Sequence, residues 1–149
     1  TATAGSKTFT VNATDKAGNT AQLTVSYTVV IPYTFVGFFS PLGPAGTFAG
    51  EFNRGSNISI KWQLIGPGEV PLTDLGLIQA LQVAPNASCS GAPTGTPVLL
   101  YPSATGATIL RVSGQYIFNW DTSGFPNGCY NIVLKLSNGT TPTTIVGLN

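Results

Sequence analysis

The sequence contains no histidine and no methionine, and charged residues make up only 7% of its 149 positions. Roughly a quarter is usual for a soluble domain. Without histidine, neither a Ser-His-Asp nor a Cys-His catalytic arrangement can be built within this chain. With a net charge of +1 and no basic cluster, the chain lacks the positive charge that phosphate binding requires, so we expect no nucleic-acid partner. The same near-zero charge leaves little electrostatic barrier to self-association.

Long hydrophobic runs are also missing. A transmembrane helix needs about 18 consecutive apolar residues, and no such stretch occurs, so we expect no membrane insertion. A basic segment followed by an apolar segment, the pattern of a secretory signal, is absent as well. Any export signal is therefore expected to lie outside this sequence or to have been removed from it.

Acidic side chains are few and scattered over different predicted loops and strand ends. A glycosidase needs two carboxylates flanking one bond, and no such pair is predicted, so we expect no catalytic residues and no enzyme. A calcium site at Asp15 or Asp121 is a weaker interpretation than ordinary turn chemistry, because neither stretch has the ligand density of an EF-hand loop. We predict no metal and no cofactor. The acidic residues are Asp15, Glu51, Glu69, Asp74 and Asp121.

The only two cysteines, Cys89 and Cys129, are 40 positions apart, and neither belongs to a CxxC pair. A metal site needs more ligands than these two side chains supply. In a chain rich in Thr, Gly and Pro that has a secreted character, a disulfide is favoured over two free core thiols. The pairing predicts an oxidising environment outside the cytoplasm.

The stretch "TFTVNATDKAGNTAQLTVSYTV" contains two runs in which apolar and polar residues alternate. A period of two is typical of a half-buried β-strand. Between the runs, Asp15 to Asn19 predict a five-residue hairpin loop in which Gly18 takes a positive φ. One face of this hairpin is predicted to be apolar and to mediate self-association; it carries Phe9, Val11, Ala13, Leu23, Val25, Tyr27 and Val29.

Pro32 marks a boundary, because proline is poorly suited to a central strand. We therefore predict a hairpin over residues 1–31 and a second domain over residues 32–149, in which short β-like runs alternate with Gly and Pro. "SNGT" at Ser137–Thr140 predicts a tight hairpin, and "LTDLGLIQALQV" fits either a strand or a helix. The pattern predicts an antiparallel sandwich. The expected strands are Tyr33–Phe39, Phe48–Phe52, Ile58–Ile65, Leu77–Val83, Val98–Tyr101, Thr108–Val112, Gln115–Trp120, Tyr130–Leu136 and Thr141–Val146.

A sugar-stacking platform is one interpretation of the aromatic residues Trp62, Trp120, Tyr101, Tyr116 and Tyr130. Trp62 and Trp120 share strand faces with other apolar residues, which predicts that they are core side chains. Tyr101, which precedes Pro102, is the freer candidate for ligand contact. Four Asn-x-Ser/Thr triplets, beginning at Asn12, Asn57, Asn86 and Asn138, also fit the N-glycosylation pattern.

Residues 5–30 resemble the final two strands of bacterial immunoglobulin-like and hyalin-repeat-like modules. In those modules an F-T-V-x-A-x-D-x-A-G-N strand and loop precede a T-V-x-Y-x-V strand, and this chain has "FTVNATDKAGN" and "TVSYTV". The resemblance implies that the hairpin is the end of an immunoglobulin-like module or a pair of donor strands.

Residues 33–148 resemble the secreted prokaryotic domain named for its Pro-x-Lys-Phe motif. "YTFVGFFSP", "FNRGSNISIKWQL", "SGQYIFNW" and "GCYNIVLKLSNGT" occur in the family's order, and Cys89 and Cys129 fall where its paired cysteines fall. Ser59 and Trp62 replace the motif's Pro and Phe, while Lys61 is shared. The resemblance implies a non-catalytic β-sandwich at the C-terminal end of a long exported protein. Together the predictions give an all-β fold, an antiparallel immunoglobulin-like β-sandwich with an N-terminal β-hairpin extension.

The leading functional hypothesis is a non-catalytic structural protein of the cell surface or the extracellular space. Because two strands alone are marginally stable, some surface must cover the hairpin: its own sandwich, an upstream domain, or a neighbouring subunit. The third is favoured, and strand complementation between copies would build a filament. Expected partners are thus copies of the chain or neighbouring immunoglobulin-like domains. The alternative is an adhesin module that binds a carbohydrate or a protein within a large secreted multidomain protein.

Overall fold

The computed structural model describes residues 5–103 and 106–149. These residues form β-strands and two short 3-10 turns, and they contain no α-helix. Nor does any helix within them have the length and apolar character to cross a membrane. The predicted all-β class is confirmed. The strands are β1 (Gly5–Thr14), β2 (Thr20–Val29), β3 (Thr34–Phe39), β4 (Phe48–Phe52), β5 (Asn57–Ile65), β6 (Pro71–Leu72), β7 (Ile78–Asn86), β8 (Val98–Tyr101), β9 (Leu110–Val112), β10 (Gln115–Asp121), β11 (Gly128–Leu136) and β12 (Thr143–Leu148).

The chain divides into two compact units, one ending at Pro32 and the other spanning Tyr33–Asn149. The first unit is a two-stranded antiparallel hairpin of β1 and β2, paired without interruption from Gly5 opposite Val29 to Thr14 opposite Thr20. Its loop closes through Gly18, whose φ is +88°. Such a positive φ is readily adopted only by glycine, so this residue permits the tight reversal of the chain.

The second unit consists of two sheets. One has the strand order β3-β5-β10-β9, with β6 paired to the end of β5, and the other has the order β4-β12-β11-β7-β8. Except for the parallel pair of β12 and β4, neighbouring strands in both sheets are antiparallel. Across the first sheet, β3, β5, β10 and β9 correspond to strands A, B, E and D of an immunoglobulin domain. In the second sheet, β12, β11, β7 and β8 correspond to strands G, F, C and C′. The unit is therefore an immunoglobulin-like β-sandwich.

A tyrosine corner supports the same assignment. Tyr130 lies near the start of β11, the F strand, and its hydroxyl donates to the Pro126 carbonyl oxygen at 2.9 Å, four residues upstream. A tyrosine bonded to the upstream backbone at this corner is a hallmark of immunoglobulin sandwiches. It fixes the path of the chain as it passes from one sheet to the other.

The core lies between the sheets and follows from strict alternation along the central strands. In β5 every second residue is buried, from Ile58 to Leu64, and the buried Trp62 ring stacks on Tyr116 with centroids 5.5 Å apart. Each large apolar side chain removed from water stabilises the fold by about 1.5–3 kcal/mol. Trp62 and Trp120 are 0% and 1% exposed, which confirms their predicted core position.

The ambiguous stretch "LTDLGLIQALQV" forms a 3-10 turn over Leu75–Leu77 followed by β7. The Asp74 carboxylate accepts from the Gly76 N–H at 2.8 Å and caps this turn, while the Tyr116 hydroxyl donates to the Asp74 carbonyl oxygen at 3.0 Å. These contacts hold the start of the turn, and the strand that follows is longer than predicted. "SNGT" joins β11 to β12 as predicted, with Gly139 at φ +85°.

Candidate interaction surfaces

The apolar face of the hairpin is the first candidate surface. The register places Phe9 opposite Val25 and Val11 opposite Leu23, so apolar side chains pair across the two strands on one face. Phe9 is 61% exposed and Leu23 64% exposed. Tyr27 and Val25 are also exposed on this face, Ala13 is exposed near its end, and Val29 is half-buried at the other end. The predicted face is thus assembled by the register and is open to solvent.

The opposite face of the hairpin is polar and makes its own cross-strand bonds. The hydroxyls of Thr10 and Thr24 lie 3.0 Å apart, and Gln22 Nε2 donates to Asn12 Oδ1 at 2.8 Å. Cross-strand pairs of this kind stabilise a sheet by roughly 0.2–1 kcal/mol each. The polar face therefore has hydrogen bonds of its own between the two strands.

Asp15 stabilises the hairpin loop by accepting hydrogen bonds within it. Its Oδ1 accepts from the N–H groups of Ala17 at 2.8 Å and Asn19 at 2.9 Å, and its Oδ2 accepts from Asn19 Nδ2 at 2.8 Å. The side-chain hydrogen bond from Asn19, followed by backbone hydrogen bonds, holds the pKa of the Asp15 carboxyl below its usual range. Both carboxylate oxygens are therefore engaged in turn chemistry.

Asp121 and Glu51 also accept hydrogen bonds. Asp121 Oδ1 accepts from the Ser123 N–H at 2.9 Å, which lowers the pKa of this carboxyl, and Glu51 Oε2 accepts from Asn149 Nδ2 at 2.9 Å. Within residues 5–103 and 106–149, no three His, Cys, Asp or Glu side chains come close enough to hold a metal ion.

The disulfide between Cys89 and Cys129 is formed, with the two Cα atoms 5.1 Å apart. It joins the loop between β7 and β8 to the first residues of β11. A buried amide pair supports the same loop: Asn86 Nδ2 donates to Asn131 Oδ1 at 2.7 Å, and Asn131 Nδ2 donates to the Gly91 carbonyl oxygen at 3.0 Å. The loop is therefore attached to the sheet by one covalent bond and by satisfied buried amides.

Asn131 is a structural residue that strand periodicity does not reveal. Its position in β11 lies on the face opposite Tyr130 and Ile132, where alternation predicts exposure, yet it is only 2% exposed. The β7–β8 loop folds across this part of the sheet and covers it. Only the amide chemistry of Asn131, flanked by apolar neighbours, signals a buried hydrogen-bonded role.

A groove of about 540 Å³ opens beside the disulfide. Phe125 is one of its two aromatic lining residues. The ring is half-buried and contacts Trp120 and the other aromatic residue, Tyr130, edge-on, with centroids 5.1 and 5.8 Å away. Arg54 Nε donates to the Phe125 carbonyl oxygen at 2.8 Å and fixes this loop. Mostly apolar walls with a few polar groups are typical of ligand pockets. Other lining residues include Pro85, Asn86, Thr94, Val98, Pro126 and Asn127.

Tyr101 is less free than its place before Pro102 predicts. It is the last residue of β8, it is half-buried, and it packs against the hydrophobic core. Phe125, in contrast, is an aromatic residue that the sequence patterns did not single out, because it lies in a loop between Gly124 and Pro126, outside any alternating run. The structure therefore separates Tyr101 from the groove that Phe125 lines.

No protein-family model matches the sequence, and no curated protein sequence matches it. Among solved structures, the chain is similar to titin domains Z1Z2 in complex with telethonin, at 14% identity and a TM-score of 0.36 over 96% of this chain and 59% of that chain. A chimeric titin Z1Z2-Z1Z2 tandem carrying a GRGDS peptide from fibronectin is similar at 17% identity and a TM-score of 0.37, over 97% of this chain and 65% of that chain. The titin Ig tandem domains A164-A165 are similar at 16% identity and a TM-score of 0.38, over 97% of this chain and 62% of that chain. The chain spans less than two thirds of each of these structures.

Proposed function

We propose that this chain is a non-catalytic structural subunit of an extracellular or cell-surface assembly, and that the hairpin of one copy is completed by a sheet of the next. The observation that carries the proposal is the apolar hairpin face, on which Phe9, Leu23 and Tyr27 are all more than half exposed. An isolated two-stranded hairpin is marginally stable in water. A face of this composition is stabilised when a second surface removes it from water.

The extracellular location is supported by the disulfide between Cys89 and Cys129. Disulfides persist in secreted and surface proteins and are rare in reducing compartments. The resemblance of residues 33–148 to the secreted prokaryotic Pro-x-Lys-Phe domain supports the same location. The non-catalytic role is supported by the hydrogen bonds that Asp15, Asp121 and Glu51 accept from other groups of the chain.

The sandwich has edges that suit a receiving role. β8 and β9 are terminal strands of their sheets, and each pairs with a neighbour on one side only. They carry the exposed apolar side chains Val98, Leu99, Leu110 and Val112. Strand addition at such an edge combines backbone hydrogen bonds with contacts to alternate side chains. Repeated head to tail, it produces an open filament.

Two matched charge substitutions in the full chain test this proposal. Val11→Asp places a carboxylate on the apolar face of the hairpin, and Asn12→Asp places one on the polar face at the next position of the same strand. We expect the unmodified chain and Asn12→Asp to form oligomers in light scattering, and Val11→Asp to remain a monomer. An unmodified chain that stays monomeric at high concentration would contradict assembly between copies and would leave the chain's own sandwich or an upstream module as the covering surface.

A binding module is the second candidate, and the groove lined by Phe125 favours it. Its volume of about 540 Å³ is within the range of small-ligand sites. Glycan and peptide arrays probed with the full chain test it. Binding that is lost in Phe125→Ala and kept in Tyr101→Ala would identify the groove as the ligand-binding site. The reverse result would place the ligand-binding site at the end of β8.

A further inference from the structure

The four Asn-x-Ser/Thr triplets of the sequence differ sharply in their structural settings. Asn86 is 3% exposed. Its Nδ2 donates to Asn131 Oδ1 at 2.7 Å and to the Ser90 carbonyl oxygen at 3.1 Å, and its Oδ1 accepts from the Ser88 N–H at 3.0 Å. The amide that would carry a sugar is thus buried and already used on both sides. In the folded chain this triplet is closed to any transferase.

The triplets at Asn12 and Asn57 lie on strands. Asn57 begins β5, where the next residue, Ile58, is 1% exposed and the Ser59 hydroxyl donates to Asn119 Oδ1 at 2.7 Å. Asn12 lies within the uninterrupted ladder of the hairpin, and its Oδ1 accepts from Gln22. A transferase that must seat three consecutive residues would have to withdraw these triplets from their sheets.

The triplet at Asn138 lies in the turn between β11 and β12, and Asn138, Gly139 and Thr140 are all exposed. Asn138 Oδ1 accepts from the Thr140 N–H at 3.0 Å and from the Thr140 hydroxyl at 2.7 Å. These bonds fix the carboxamide by its oxygen. Within residues 5–103 and 106–149, Asn138 Nδ2, the atom that accepts the sugar, has no hydrogen-bond partner.

We propose that Asn138 is a site of N-linked glycosylation, with the other three triplets disfavoured or closed in the folded chain. The inference rests on the extracellular location proposed above. The donor is a lipid-linked oligosaccharide phosphate or pyrophosphate: Asn138 Nδ2 attacks the anomeric carbon, the bond from that carbon to the phosphate oxygen breaks, the phosphate leaves with the electron pair, and a base of the transferase takes the Nδ2 proton. An exposed turn is the setting in which such acceptors are found.

The test uses the oxidised, folded full chain, a purified oligosaccharyltransferase and a lipid-linked oligosaccharide, with glycopeptide mapping by mass spectrometry. We expect modification at Asn138 first, its loss in Asn138→Gln and in Thr140→Ala, and its retention in Thr140→Ser. Asn86 is expected to react only after reduction and unfolding, and that unfolded sample also shows that the enzyme and donor are active.

Modification of Asn86, Asn57 or Asn12 ahead of Asn138 in the folded chain would overturn the proposal. So would a folded chain that remains unmodified at Asn138 while the unfolded chain accepts a glycan there. Circular dichroism of Asn138→Gln verifies that the fold is intact. Because the assay is carried out in solution with added donor, its failure does not depend on where the protein resides or whether it assembles.

Discussion

The hairpin and the sandwich are built from the same alternating pattern, yet they treat their apolar faces differently. Val25 in β2 is 47% exposed, whereas Ile60 in β5 is completely buried. The sandwich covers its apolar residues because a second sheet faces the first. The comparison shows that a period of two specifies which side chains share a face, while the presence of a covering layer is a separate property of the fold.

Truncating one aromatic side chain in each region provides the largest test of this contrast. Trp62 is fully buried and Phe9 is 61% exposed. We expect Trp62→Ala to lower the free energy of unfolding by about 3–5 kcal/mol, and Phe9→Ala to change it by no more than about 0.5 kcal/mol in the dilute monomer. Urea unfolding followed by Trp120 fluorescence measures both. Equal losses would mean that the hairpin face is already covered within one molecule.

The disulfide is found only in the sandwich, and its removal should be the next largest effect. It closes a separation of 40 residues, and its loss should cost about 2–4 kcal/mol, chiefly by freeing the unfolded chain. Differential scanning calorimetry with and without reductant measures the change in Tm. A variant carrying both Cys89→Ala and Cys129→Ala is the control and should not respond to reductant. An unchanged melting curve of the natural chain would contradict a stabilising bridge.

Two tyrosines sharpen the comparison further. The Tyr130 hydroxyl is bonded to the Pro126 carbonyl oxygen, whereas Tyr27 is 51% exposed on the hairpin. We expect Tyr130→Phe to destabilise the sandwich by about 1 kcal/mol through the lost hydrogen bond, and Tyr27→Phe to leave its stability unchanged. Chemical denaturation of both variants side by side is the measurement. A neutral Tyr130→Phe would show that the corner does not stabilise the fold.

The pH dependence of the sandwich should be the smallest effect. Burial raises the pKa of Tyr116 well above its ordinary value of 10.0. The Tyr116 hydroxyl therefore ionises in the unfolded chain before it ionises in the folded chain. Its contribution to the free energy of unfolding is complete below pH 10.0 and is lost as pH rises further. Hydrogen bonds from Ser123 hold the pKa of Asp121 below 3.8, so its contribution is present above pH 3.8 and is lost as pH falls through the lowered value. Between about pH 5 and 9 the unfolding free energy should stay flat.

Thermal melts across pH 3 to 11 check this profile. Tyr116→Phe should reduce the alkaline decline without removing it, because burial also raises the pKa of Tyr130. A steep change near neutral pH would contradict it, because the sequence contains no histidine.

The sequence predicted most of the secondary structure because its information is local. Strand alternation identified the inward residues of β5, β10 and β11, and the glycine-containing loops identified both hairpins. The ends of strands were less accurate: β7 continues to Asn86, beyond the predicted Val83, and β9 is confined to Leu110–Val112 instead of beginning at Thr108. Strand ends depend on pairing partners, which a local pattern does not contain.

The candidate surfaces were predicted unevenly for the same reason. The apolar face of the hairpin follows from two neighbouring strands and could be read in full. The groove at Phe125 and the buried Asn86–Asn131 pair unite residues from separate loops and strands. Neither has a signature in one stretch of sequence, because each arises only when the β7–β8 loop folds over the sheet.

The parallel pairing of β4 with β12 has a consequence for the order of events during biosynthesis. Thr144 donates to the Thr47 carbonyl oxygen across a separation of 97 residues, and β12 lies between β4 and β11 in its sheet. A ribosome therefore completes nearly the whole sandwich before the strand that joins β4 to the rest of its sheet exists. Contacts of such long range form slowly. The pairing that joins β4 to its sheet can therefore form only after β12 has been synthesised.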